Sequence, residues 1–427
     1  MSGRPGASRF RPWAAVRRAQ GDALPIQTLL YLAGLASFLG PASISIYTPS
    51  LVALRESFST SNALAGATVS AFSIVLAASQ LLYGPVIDRF SGKVVLAGGL
   101  VLFGAASLLA AWAPQIGVFL LARGLQAAGV AAGLVVGGAL VSDRFPPQRR
   151  ASAMGTLQSF NAFGASLGPV IGSGIIALGF AWQADFVALA GAGFLVALGV
   201  AWLLPRQAAP AERFSPGAIV GVLRLPATLA VALLGFAQYY GHLSLITFAP
   251  VVLREHAGLD PEWIGLLLLP QTLGVTFGAP LGGWVADRWG RRRVALLGAT
   301  LTGVSYGAYT VIAALVPGAA AVPLMALAQG SFGLTMGMGV AAQLVLMVEW
   351  LPARRGTAVG TYAAVRYTGA ALGPLLGGAL MDRLALWTPF AVVTVLLFAA
   401  ALLAAQLLRE PPTLAPPASG SAGAARV

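Results

Sequence analysis

Long uncharged apolar runs, broken by short charged clusters, recur along almost the whole 427-residue chain. Runs able to span a bilayer lie at 27–52, 57–87, 94–122, 124–142, 151–184, 186–205, 225–253 and 263–286. The third and fourth spans separate at Ala113-Pro114-Gln115. The stretch 294–348 is too long for one helix at roughly 20 residues per span, so Pro317 and Pro323 are expected to divide it into two. Two further helices complete a predicted set of twelve. The pattern therefore predicts an all-α membrane protein, and a composition of 58% hydrophobic and 9% charged residues agrees.

Two segments, 147–173 and 352–378, align without a gap at an offset of 205 residues and share 12 of 27 positions. The chain is thus two copies of one membrane unit, as expected of a transporter that rocks one half against the other. The expected organisation is a basic tail (1–26), a six-helix bundle (27–204), a linker (205–226), a second, pseudo-symmetric six-helix bundle (227–408) and a disordered tail (409–427). Both copies keep the spacing Gly-x8-Gly-x3-Gly-Pro-x2-Gly, at Gly155, Gly164, Gly168, Pro169, Gly172 and at Gly360, Gly369, Gly373, Pro374, Gly377. Glycines at i, i+4 and i+8 leave one bare stripe per helix where a neighbouring backbone can approach closely, and tight packing alone would use it too.

Charge sets the orientation. With alternate loops on opposite sides, 21 Lys and Arg fall on one side and three, Arg55, Arg254 and Arg383, on the other. Both termini are therefore expected in the cytoplasm. The five arginines ahead of the first apolar run mark an uncleaved signal-anchor, because that run exceeds a secretory h-region of roughly 7 to 15 residues. The same asymmetry accounts for the net charge of +13 without nucleic acid, since the arginines are dispersed among short loops. The absence of cysteine excludes disulfides and thiolate metal sites. No phosphate-cradling Gly-Lys-Ser/Thr loop and no paired nucleophile and base is found, so neither enzyme chemistry nor a cofactor is expected.

A second duplicated element follows the second and eighth spans: Gly84-Pro-Val-Ile-Asp88-Arg89-Phe-Ser-Gly92-Lys93 and Gly283-Trp-Val-Ala-Asp287-Arg288-Trp-Gly290-Arg291-Arg292. Taken with the glycine repeats and the spans, these make the chain resemble the major facilitator superfamily over essentially its full length. The glycine pattern is similar to the antiporter motif of twelve-span drug:proton exporters. The resemblance implies a gate latch in which each loop Asp docks at the start of a helix in the other half. Asp88 and Arg89 would meet Arg354 and Arg355, while Asp287, with Arg288 and Arg291, would meet Arg149 and Arg150. A carboxylate suits a helix N-terminus and nearby guanidinium groups. The first copy departs from the pattern at Ser91 and Gly92, which implies a weaker latch.

Arg123-Gly-Leu-Gln126 in the fourth span resembles the family's Arg-x-x-Gln motif, whose arginine faces the central cavity and takes part in coupling. The alternative is a structural bond to Gln126 or a carbonyl. Many of the drug exporters carry an acid in the first span, where this chain reads Ile44-Ser45-Ile46-Tyr47-Thr48-Pro49. None of the thirteen acids is expected at the centre of a span; Asp185 and Glu349, at span ends, are secondary candidates to carry a proton.

Arg366 lies 11 residues after Arg355, about 16 Å along the eleventh helix at ~1.5 Å per residue. An intramembrane arginine is costly unless it meets water, a partner or a ligand. Arg123 and Arg366 are accordingly the candidate groups for an anionic or zwitterionic substrate such as a siderophore, organic acid or carboxylate antibiotic. Snorkelling or carbonyl bonding would also serve Arg366. Tyr47, Asn161, Tyr239, Gln271 and Tyr367 are candidate cavity residues. His242, titrating near neutrality, is the candidate proton carrier with Arg123, or else a neutral hydrogen-bonded core residue. The expected protein is a monomeric, proton-coupled exporter of a small molecule in a bacterial cytoplasmic membrane. An organic-anion importer of the same fold and a non-transporting receptor are the alternatives.

Overall fold

The computed structural model describes residues 26–87, 90–145, 147–204, 224–351 and 355–408, so the tails, most of the linker and the loop residues Asp88, Arg89 and Arg354 lie outside it. Among the described residues there are twelve long helices and no strand. In chain order they are α1 (Ile26–Ser45), α2 (Asn62–Ile87), α3 (Gly92–Ala111), α4 (Ile116–Arg144), α5 (Pro147–Ala177) and α6 (Gln183–Leu203). The second six are α7 (Pro226–Glu255), α8 (Pro261–Trp289), α9 (Arg291–Leu315), α10 (Ala321–Trp350), α11 (Arg355–Arg383) and α12 (Thr388–Leu407). Eleven spans are long and apolar enough to cross a membrane. The exception is α11, whose apolar residues are interrupted by Thr361, Tyr362, Arg366, Tyr367 and glycines.

Two expectations about helix ends are corrected. The first apolar run is not one helix: α1 stops at Ser45, a 3-10 turn follows at Thr48–Ser50, and a short helix runs from Leu51 to Ser57. Pro49 supplies no N–H to continue the ladder, and the Thr48 hydroxyl donates instead to the Ser45 carbonyl at 2.8 Å. Pro323 does not divide α9 from α10. It lies in the first turn of α10, where its missing N–H costs nothing, and the break falls at Pro317 and the turn Gly318–Ala320.

The helices form two six-helix bundles with the same internal packing. In the first, α1 lies on α4 and α5, α2 on α4, and α3 on α4 and α6. In the second, α7 lies on α10 and α11, α8 on α10, and α9 on α10 and α12. The glycine stripes allow close backbone contacts here: Gly164 sits against the Phe38 carbonyl of α1 and Gly172 against the Ile46 carbonyl just beyond it, and Gly369 and Gly373 sit against the Phe236 and Tyr240 carbonyls of α7.

Between the bundles, α2 meets α11 and α5 meets α8, a symmetric pair of interfaces. Among the described residues, the bonds across them lie at one end, called here the far end, opposite the loop that carries Asp287. Asp382 at the end of α11 accepts from the Asn62 and Ala63 N–H groups at the start of α2, at 3.0 and 2.8 Å. Arg55 pairs with Glu255 at 2.7 Å. Ser173 of α5 donates to the Pro261 carbonyl and accepts from the Gly265 N–H, each at 2.8 Å. The Gly-Pro prolines belong to the same seam: Pro374 faces Gly66, and Pro169 faces Gly265.

Candidate functional site

The structure places the two intramembrane arginines in separate settings, one in each bundle. Arg123 is fully buried about two turns into α4. Its Nη1 donates to Gln126 Oε1 at 2.5 Å, its Nε donates to the Thr68 carbonyl at 3.3 Å, and its Nη2 has no partner. Gln126 passes the chain on, donating to Ser107 at 2.7 Å. The guanidinium carbon stands 4.4 Å from the Phe72 ring centre and 4.8 Å from that of Tyr47. Tyr47 is buried with it, its hydroxyl sharing a 2.7 Å bond with Thr68. Cation–π contact of this kind replaces part of the lost hydration.

Arg366 occupies a different environment. Its guanidinium carbon lies 3.9 Å over the Tyr239 ring and 5.2 Å from Tyr362, and its Nη2 donates to the Tyr239 hydroxyl at 2.5 Å. Its Nε has no partner, and it enters no ion pair among the described residues. Tyr367 meets Tyr239 edge-on at 6.3 Å and faces Gln80 of α2 in the opposite bundle. Tyr239 leads in turn to His242, 5.8 Å between ring centres. Gln271 Nε2 donates to His242 Nδ1 at 3.0 Å and approaches the His242 carbonyl at 3.4 Å. That carbonyl can only accept, which fixes the amide orientation and puts the imidazole proton on Nε2. Gln271 Oε1 is then buried without a partner.

Five of the residues singled out from sequence, Tyr239, His242, Gln271, Arg366 and Tyr367, thus form one cluster on α7, α8 and α11. Tyr47 and Arg123 form another inside the first bundle. Asn161 is half-buried on α5. Of the latch residues, Asp287 is 74% exposed and lies 3.8 Å from Arg291, which also pairs with Glu349 at the end of α10. Arg288 stacks on Trp284 at 3.7 Å. The side chains of Arg149, Arg150 and Arg355 lie outside the described residues, as do Asp88, Arg89 and Arg354.

Sequence reasoning passed over the support behind the Arg366 cluster. Tyr362 Oη donates to Gln343 Oε1 at 2.8 Å, Gln343 Nε2 to Gln238 Oε1 at 2.9 Å, and Gln238 Nε2 to Thr302 Oγ1 at 3.3 Å. The signal was present in part, because Tyr362 is four residues before Arg366 and shares its helix face. Tyr362→Phe leaves Gln343 Oε1 buried and unpaired. It is expected to cost about 1–3 kcal/mol, read as a lowered midpoint of thermal unfolding in detergent.

Comparison with known proteins agrees with this architecture. The sequence profile of the Major Facilitator Superfamily matches residues 33–274 and 231–426, and the chain belongs to that family. It is a multi-pass membrane transporter. The MFS-type transporter YdgK of Bacillus subtilis strain 168, itself uncharacterized, is 27% identical over 363 residues, spanning 82% of this chain and 88% of its own. The hexuronate transporter of the same strain is 28% identical over 281 residues, spanning 62% of this chain and 65% of its own. A chloramphenicol resistance protein of Pseudomonas aeruginosa is 28% identical over 273 residues, spanning 61% and 62%. In structure, a bacterial homologue of the human lysosomal transporter Spinster, inward-facing and unoccupied, matches with a TM-score of 0.74 at 18% identity. The match covers 91% of this chain and 98% of that one.

Proposed function

We propose that this transporter is a secondary active exporter of a small anionic or zwitterionic molecule, driven by a proton gradient across a bacterial cytoplasmic membrane. The observation that carries the substrate charge is Arg366. It is an unpaired guanidinium within a helical span, one nitrogen unmet, set among Tyr239, Tyr362 and Tyr367 where two bundles approach. Such a cation is stabilised by a ligand of opposite charge. His242, bonded to Gln271 in the same cluster, is the titratable group beside it, and Arg123 holds the corresponding charge in the first bundle. With the arginine-rich loops cytoplasmic, the far end faces outward, and the clasps there support a monomeric transporter closed to the outside. Alternating access then requires the clasps to part while the Asp287 end closes.

Export is supported by the repeated glycine pattern and by the similarity to the chloramphenicol resistance protein. The hexuronate transporter supports the second reading, uptake of an organic anion through the same site. Inverted membrane vesicles decide between them. The probes are a catecholate siderophore, galacturonate, chloramphenicol and ethidium, each with and without an imposed proton gradient. Accumulation of an anion that collapses with the gradient is the expected result. Accumulation of ethidium alone would refute the charge assignment, and accumulation only in right-side-out vesicles would establish import.

A further inference from the structure

Asp185, in the first turn of α6, is the one acid that is fully buried among the described residues, and neither of its carboxylate oxygens has a hydrogen-bond partner. The polar group nearest to hydrogen-bonding it is Ser50, in the turn where α1 breaks, whose hydroxyl is also buried and has no other partner. The following residue, Phe186, closes the place off from water, packing on Phe119 at 5.2 Å, Tyr47 at 5.4 Å and Trp182 at 6.0 Å. The Arg123 guanidinium lies 5.9 Å from that Phe186 ring, with its Nη2 unmet. A bare carboxylate in such surroundings is too costly to persist, so a cation must accompany it.

We propose that Asp185 and Ser50, at the break in α1, form the site where the transporter takes up and releases its coupling cation. The cation is a proton carried on the carboxyl, or a sodium ion held by the carboxyl, the hydroxyl and carbonyls of the broken helix. The proposal rests on the gradient-driven reading above and supplies the carboxyl that the centres of the spans lack. Of the ionisable groups on the elements packed against this part of α6, Arg123 of α4 and Tyr47, in the turn after α1, lie against the neighbouring Phe186 ring, at 5.9 and 5.4 Å. On α3 the charged residue, Lys93, is at the opposite end. On the short helix, Arg55 is committed to Glu255 and Glu56 is exposed. The fixed charge of Arg123 favours a proton over a metal ion. Discontinuous helices are recurrent places for coupling ions.

The break also links the site to the gate. Ser50 leads directly into the helix Leu51–Ser57, whose Arg55 makes the 2.7 Å pair with Glu255 of the other bundle and donates at 2.8 Å to Asn62 of its own. A change of charge at Asp185 therefore moves the segment that clasps the two bundles.

The test needs no known substrate, because the chain has no cysteine. The full-length Ala63→Cys protein, in proteoliposomes, reports far-end opening through its rate of labelling by a membrane-impermeant maleimide. Rates are measured against pH and, at fixed pH, against sodium with potassium as control, after correction for maleimide reactivity with a free thiol. The expected result is a labelling rate that changes roughly tenfold or more with pH, becomes insensitive in Asp185→Asn, and is retained with a displaced midpoint in Asp185→Glu and Ser50→Ala. A response to sodium and not to potassium, lost in the same variant, would assign the site to sodium instead. Absence of both responses in the parent, or a pH response that survives Asp185→Asn and vanishes in His242→Gln, overturns the proposal. If vesicles accumulate an anion under a gradient and Asp185→Asn accumulates it equally well, the exporter reading stands and this inference alone fails. If the parent accumulates nothing in either orientation, it is the exporter reading that fails.

Discussion

Arg366→Gln, at matched expression, is expected to lower transport of an anionic substrate by about 10-fold to 150-fold, the range that ~1.5–3 kcal/mol for a charged hydrogen bond implies. The loss should appear chiefly as a raised KM, since the guanidinium meets the substrate in the bound state as well as during transit. Arg366→Lys should fall between, because an ammonium keeps the charge but loses the planar fork and the stacking on Tyr239, 3.9 Å away. Tyr239→Phe removes the hydroxyl that accepts from Arg366 Nη2 but leaves the ring, and a smaller loss is expected. Unchanged uptake in Arg366→Gln would show that the arginine serves only the packing of α7 against α11.

Gly66→Val should leave the protein folded and stop transport by holding the far end open. A Cβ at Gly66 would meet the Pro374 carbonyl and the Phe248 ring, both in the other bundle, so the added bulk bears on closure rather than on either bundle's core. Overpacking of this sort costs roughly 1–3 kcal/mol, and states of a transporter differ by only a few kcal/mol, so the closed population should fall by about five- to 150-fold. Labelling of Ala63→Cys by an impermeant maleimide should accelerate accordingly. Gly265→Val, against Pro169 at the symmetric seam, should act in the same direction. A normal labelling rate in both variants would mean that this seam is not what closes the far end.

How far the sequence could lead differs between the two prolines and the two arginines. Pro169 and Pro374 were visible as members of a repeat, and the repeat correctly set them on equivalent helices. Their partners, Gly265 and Gly66, could not be read, because each lies in the opposite half and no local spacing joins them. Arg123 and Arg366 were both legible as charges inside spans, since the cost of burying them marks them in any membrane sequence. Which one is enclosed by its own bundle and which stands beside the other half depended on the helix rotation that packing imposes. Asp185 shows the limit most plainly: its position near a span end makes it only a secondary proton candidate in the sequence, and the turn at Thr48–Ser50 and the aromatic wall of Phe119, Trp182 and Phe186 remove it from water.

By itself the sequence determined the solvent, the twelve helices, their duplication and the intramembrane charges. Hydropathy, glycine spacing and proline are local properties that act through one helix at a time. The tertiary structure decided where α1 breaks, how the far end is clasped, and which polar groups among the described residues are left without partners. Those depend on contacts between helices hundreds of residues apart, such as Asp382 with the start of α2 and Ser173 with α8. In a membrane, where apolar surface faces lipid and protein alike, such packing and hydrogen bonding rather than hydrophobicity select the arrangement.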